Sequence, residues 1–105
     1  MLHHIAEATR WDEARATGAY TASTLGLELD DVGFIHLCTT EQLEGVAARF
    51  YRGVQGLVLL HIDEALLDSP VVMEAVGDSG EHFPHLYGPL RVRAVVAAEP
   101  FVAPS

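Results

Sequence analysis

Lysine is absent from this chain. Its cationic side chains are six arginines set against fifteen Asp and Glu, a formal charge of −9 with the histidines neutral. A surface of that sign repels phosphate backbones and gains nothing from counterion release, which argues against nucleic acid as a partner and for a small molecule. Cysteine is reduced to Cys38 alone, which excludes an intrachain disulfide and any multi-cysteine zinc site and suits a reducing, cytoplasmic setting. No apolar run approaches the ~20 residues of a membrane span, and the N-terminus has no basic stretch leading into an apolar one, so neither membrane insertion nor export is expected. A G-x-S-x-G elbow, a phosphate-binding P-loop and a dinucleotide fingerprint are also missing, which removes the common hydrolase, kinase and Rossmann readings.

Half of the 105 residues are apolar, enough for one core and one domain over residues 1–105. LHHIA (2–6) reads as a first strand, with Leu2, His4 and Ala6 on one face and His3 and Ile5 on the other. Thr9 offers an N-cap for a short helix that buries Trp11 and Ala14 and stops at Gly18. Residues 19–32 show no period and read as a loop with at most one helical turn; a loop of that length in a small domain is often functional. GFIHLC (33–38) is a strand with Phe34, His36 and Cys38 on one face. Thr39 and Gln42 then form a capping box for a helix carrying Leu43, Val46, Ala47 and Phe50 on one side and stopping at Gly53. LVLLHID (57–63) is apolar on both faces, as in a central strand. Strands are expected again at 71–76, around PHLYG, and along RVRAVVAAEPF. Helices early and strands late favour an α+β fold over a doubly wound one.

Six histidines are many for this length. His36 lies on a strand face just before a helix start at Thr39 and Thr40, where free backbone N–H groups could meet an anionic or hydroxyl-rich ligand; the same position suits a buried imidazole with both nitrogens bonded. His82 and His85 lie three apart, but Pro84 between them forbids the helical metal-binding geometry, so no metal ligand is assigned. Tyr87 alternates with His85 and shares its face. Arg49 with Arg52 and Arg91 with Arg93 could meet a phosphate or simply balance nearby carboxylates. Cys38 reads as a packed thiol, because strand neighbours two apart stand roughly 7 Å from each other, too far for direct activation by His36.

Taken together, LHHIAEATRWDEA, GFIHLCTTEQLEGVAARFYRG, LVLLHID and EHFPHLYGPLRVRAVV resemble, nearly end to end, the bacterial family known as domain of unknown function 952, with GFIH and FPHLYGP the most specific motifs. A deeper resemblance is to the ADP-ribosyltransferase superfold, and IHLCTTEQ is similar to the V-H-L-S segment of the RNA 2′-phosphotransferases that share it. That resemblance implies small, mostly antiparallel half-sheets split apart around NAD, with two main helices. It implies His36, His85 and Glu81 as catalytic candidates, and His4, Thr39, Thr40 and Tyr87 as cofactor-binding ones. Cleaving a nicotinamide–ribose bond develops positive charge on the sugar, for which Glu81 or Glu74 could supply the carboxylate. The expectation is thus an NAD-using, ADP-ribosyltransferase-like domain. The alternative is a module that binds a nucleotide or sugar phosphate without turnover. Nothing in the sequence reports the oligomeric state.

Overall fold

Alternating side chains open the chain as β1 (Leu2–Glu7), which runs without a loop into α1 (Ala8–Thr17). The computed structural model describes Met1 to Ser105. Next come β2 (Ala19–Tyr20), β3 (Ala22–Thr24), β4 (Leu27–Glu28) and the single turn α2 (Leu29–Val32). After them stand β5 (Ile35–His36), β6 (Cys38–Thr39), a 3₁₀ turn (Thr40–Gln42) and α3 (Leu43–Phe50). The second half is β7 (Leu57–Ile62), β8 (Val71–Ala75), β9 (His82–Leu86), β10 (Leu90–Arg91) and β11 (Val95–Phe101).

The fold is α+β, and every strand pairing in it is antiparallel. One sheet has the order β11-β7-β1-β6, a second the order β5-β9-β8, and β10-β2 and β3-β4 add two-stranded ladders. β7 is central, as its apolar faces require: Leu60 and Ile62 join Leu2, Ala6, Trp11 and Ala14 in one core, while Leu57 and Leu59 join Ile5, Val46, Ala47 and Phe83 in the other. Each of the larger aliphatic or phenyl side chains among them contributes about 1.5–3 kcal/mol. No helix is long and apolar enough to cross a membrane.

The expected GFIHLC strand is broken at Leu37. Its first part pairs with β9 and its second with β1, so one continuous segment passes from one sheet to the other. Leu37 N–H still donates to the Pro84 carbonyl at 3.0 Å, and the alternation survives the break, with Ile35 and Leu37 in the first core and Cys38 in the second. Other expectations need correction. Thr9 is inside α1 and caps nothing, because the helix starts directly after Glu7, where Ala8 N–H donates to the Gly56 carbonyl at 2.8 Å. Residues 19–32 form three short strands and α2 instead of a loop; their pairing partners are distant or two residues long, below what periodicity can register. The capping box of Thr39 and Gln42 is present, but it caps a 3₁₀ turn, and α3 ends at Phe50 instead of reaching Gly53. Val92–Ala94 is a 3₁₀ turn and not strand, which re-aims the chain from β10 into the edge strand β11.

Gly88 in the FPHLYGPL motif exists for close approach. A Cβ there would stand 2.1 Å from Ser69 Oγ and 2.7 Å from Ser69 Cβ. Gly88→Ala is therefore expected to lower unfolding free energy by about 1–3 kcal/mol in denaturant titration. Adding Ser69→Ala should leave most of the loss in place, because the Cβ contact remains. Full recovery in that double variant would disprove this packing account.

Candidate functional site

The period of a strand puts Phe34 and His36, then Phe83 and His85, then Glu74, on one face of the β5-β9-β8 sheet. His36 and His85 are paired directly across β5 and β9. Their rings lie 5.3 Å apart between centroids, and His36 also meets Phe83 at 5.0 Å. Phe34 stacks on His85 at 3.9 Å with the planes 10° apart. Glu74 reaches diagonally over the ladder to accept a hydrogen bond from His85 Nδ1 at 2.8 Å, and the Tyr87 hydroxyl donates to the same carboxylate oxygen. Those bonds, Tyr87's first and then His85's, hold the Glu74 carboxyl below the usual range, and the partnership with Glu74 raises the Tyr87 phenol. The chain Tyr87–Glu74–His85 thus fixes the His85 tautomer with its hydrogen on Nδ1.

His4 lies on the opposite side of this strand. Its Nδ1 donates to the His36 carbonyl at 2.7 Å, and its Nε2 accepts from the Tyr20 hydroxyl at 2.9 Å. Burial drives its pKa from 6.5 down to about 4 despite the opposing effect of the His36 carbonyl, so the ring is neutral at physiological pH. One imidazole consequently ties β1 of the first sheet to β5 of the second and to β2. Replacing it with an apolar residue would strand a buried carbonyl and a buried hydroxyl, about 1–3 kcal/mol each.

A cleft of about 230 Å³ opens beside His36. Its walls are Ser23, Thr24, Leu27 and Val32 from the β3–α2 region, Phe34 just before β5, Phe50 and Tyr51 at the end of α3, and Val76 after β8. None of its lining side chains carries a formal charge when His36 is neutral. Leu27 and Phe50 are 44 % and 43 % exposed at its mouth, an apolar rim such as ligands cover. Burial first, then His85, His4 and Arg49, lowers the His36 pKa from 6.5 to about 4. Its Nε2 is buried without a hydrogen-bond partner, and so is Nε2 of His85. Such unmet groups are rare in folded proteins and each costs about 1–3 kcal/mol.

The residues singled out from sequence are divided by the fold. His36 lines the cleft; His85 and Tyr87 stand immediately behind Phe34; His4 supports His36 from below and does not face the cleft. Glu81 is exposed in the turn before β9, within 3.4 Å of Gln42, and four residues from His85, roughly 13 Å along a strand. Glu74 is the carboxylate in the cluster. Thr39 belongs to the capping box and Thr40 Oγ1 bonds His3 Nε2 at 2.8 Å, so neither faces the cleft. Cys38 is buried in the second core, where burial pushes its thiol up to about 12. His82 and His85 leave opposite faces of β9, and no group of three or more His, Cys, Asp or Glu is arranged to hold a metal ion. Sequence reading missed Ser23, Thr24, Leu27, Val32 and the cleft role of Phe50; the length of the unpatterned 19–32 segment was the only signal of the first four.

The chain belongs to the family described as Protein of unknown function (DUF952), whose model matches residues 5–98. It is similar to CC0527 from Caulobacter crescentus. The crystal structure of that protein is 35 % identical with a TM-score of 0.81, covering 94 % of this chain and 83 % of the other. Its solution NMR structure is 36 % identical with a TM-score of 0.75, covering 94 % and 82 %. No curated protein matches.

His4 and His36 bind protons less readily when folded than when unfolded, so the stability they contribute is complete above about pH 6.5 and is lost as pH falls toward about 4. Unfolding free energy should decline through that window, with His4 alone supplying a slope of up to about 1.4 kcal/mol per pH unit. Chemical denaturation at pH 7, 6, 5 and 4.5 measures it. A profile flat over that range contradicts the buried neutral histidines.

Proposed function

We propose that this chain is an ADP-ribosyltransferase-like domain that binds the nicotinamide–ribose end of NAD, or of a related nucleotide, in the cleft beside His36, and that it acts by binding without turnover. The observation that carries the reading is the character of the cleft: aromatic and aliphatic walls, a neutral imidazole, and no formal charge on the lining side chains. Apolar walls with a few placed polar groups are what a flat, weakly polar ring requires. At about 230 Å³ the space is below the ~300–1,000 Å³ of a drug-sized pocket, which suits one ring and part of a sugar. The diphosphate would then lie outside, where Arg49 sits with its guanidinium 5.0 Å from the Phe50 ring. Arg52 is occupied by the Ser105 carbonyl at 2.9 Å.

Cleavage of the nicotinamide–ribose bond needs a carboxylate near the developing oxocarbenium ion. Glu74 is the carboxylate beside the cluster, yet it is held by Tyr87 and His85, and no carboxylate lines the cleft. That arrangement favours the non-catalytic reading over the transferase one.

Titration of the protein with NAD and with nicotinamide, followed by calorimetry or NMR shifts, tests the reading. Both should saturate at or below millimolar concentration, with His36→Ala weakening both at least tenfold, about 1.4 kcal/mol. Arg49→Ala should weaken NAD only, and no nicotinamide should be released on prolonged incubation. Absence of binding at millimolar ligand would falsify the proposal, and nicotinamide release lost in Glu74→Gln would replace it with the transferase reading.

A further inference from the structure

Two imidazole nitrogens are buried without partners, Nε2 of His36 and Nε2 of His85, and the rings that carry them lie 5.3 Å apart between centroids. His85 is only 3 % exposed, and its ring lies against Phe34 and His36, both of which line the cleft. We propose that these two nitrogens form an inner subsite behind Phe34 that takes an uncharged NH2 or OH group of the ligand and refuses an anion. The inference rests on the reading of the cleft as a ring-binding site and adds the chemical class of group that enters deepest.

The preference follows from hydrogen-bond inventory. An ionised carboxylate only accepts, so Glu74 requires the hydrogen of His85 to be on Nδ1. In the neutral ring Nε2 is then a lone pair that only accepts. His36 is not held by a carboxylate and can present its Nε2 as donor or acceptor. A primary amide, an amino group or a hydroxyl donates to His85 and satisfies His36 as well. A carboxylate or phosphate meets a lone pair, with the Glu74 charge behind the same ring. Sites built to hydrogen-bond one group discriminate strongly against an analogue that cannot make the bond, because the buried partner is left unmet.

Phe34 controls the way in. It sits in the bend between α2 and β5, after Gly33 at φ 95°, and its backbone is anchored by the Ser23 hydroxyl on its carbonyl. Its ring is held by stacking on His85 and a tilted contact with Tyr87 at 5.5 Å. Entry to the subsite therefore requires the Phe34 side chain to turn aside with its backbone fixed, so that the ligand ring takes its stacking position on His85.

Neutral and anionic isosteres provide the test: nicotinamide against nicotinate, and benzamide against benzoate, read as dissociation constants and as long-range proton–nitrogen spectra of the histidine rings. Each amide should bind at least about tenfold tighter than its acid, and the His85 Nε2 resonance should move on binding. Glu74→Gln, an exposed-side change checked for unaltered folding by thermal denaturation, frees the His85 tautomer and should cut the amide-to-acid ratio at least fivefold. The subsite is overturned if acids bind as well as amides, if the ratio is unchanged in Glu74→Gln, or if no amide moves the His85 resonance. A benzamide response without a nicotinamide one keeps the subsite and removes the nicotinamide reading; no amide binding at all removes both.

Discussion

Everything in the candidate site depends on the bond from His4 Nδ1 to the carbonyl of His36. Strand β5 is two residues long, and at Leu37 the chain leaves its sheet for the first one, so its own ladder can hold it only weakly. A buried imidazole with both nitrogens occupied supplies what the ladder lacks: it fixes the height of His36 above the core and, through Tyr20, links β2 to the same point. The low pKa of His4 is part of this arrangement. A protonated ring would present a second donor to the Tyr20 oxygen and bring an uncompensated charge into a core of Leu2, Ala6 and Trp11.

That constraint produces the division of labour between the two faces of one segment. Below, Ile35 and Leu37 are fully buried and pin the strand. Above, Phe34 and His36 are only partly covered, and the passage from sheet to sheet leaves a gap that β3, α2 and the end of α3 border but do not fill. The surface as a whole is strongly acidic, yet the cleft itself is uncharged. The acidic exterior disfavours polyanions at long range, whereas the cleft walls select by shape and hydrogen bonding at contact. Both effects support the proposal of a small ligand whose inserted part is neutral.

Much of this was legible in the residues, for identifiable reasons. Alternation exposed the two faces of LHHIA, GFIHLC and LVLLHID, and the capping box of Thr39 and Gln42 announced α3, because those signals are local and each spans several residues. The break at Leu37 was not legible, since pairing with β9 on one side and β1 on the other leaves no trace in a pattern of period two. Nor was the choice between Glu81 and Glu74. Both are carboxylates near FPHLYGPL, and only the register of β8 on β9, with Val72 opposite His85, brings Glu74 onto the ring and leaves Glu81 in the turn. Residues 19–32 failed as a pattern because their strands are two or three residues long and pair with β10 or with each other. Phe50 continues the apolar stripe of α3 in sequence but lies past the edge of the core, where the same stripe becomes a cleft wall.

The state of the His4 ring is the most direct measure of the whole account. Long-range proton–nitrogen correlation spectra of uniformly labelled protein at pH 6 should show His4 neutral with its hydrogen on Nδ1, unchanged down to about pH 5, as a pKa of about 4 requires. A His4 that carries its hydrogen on Nε2, or that titrates near 6.5, would mean that it does not hold the His36 carbonyl, and the site built above it would lose its support.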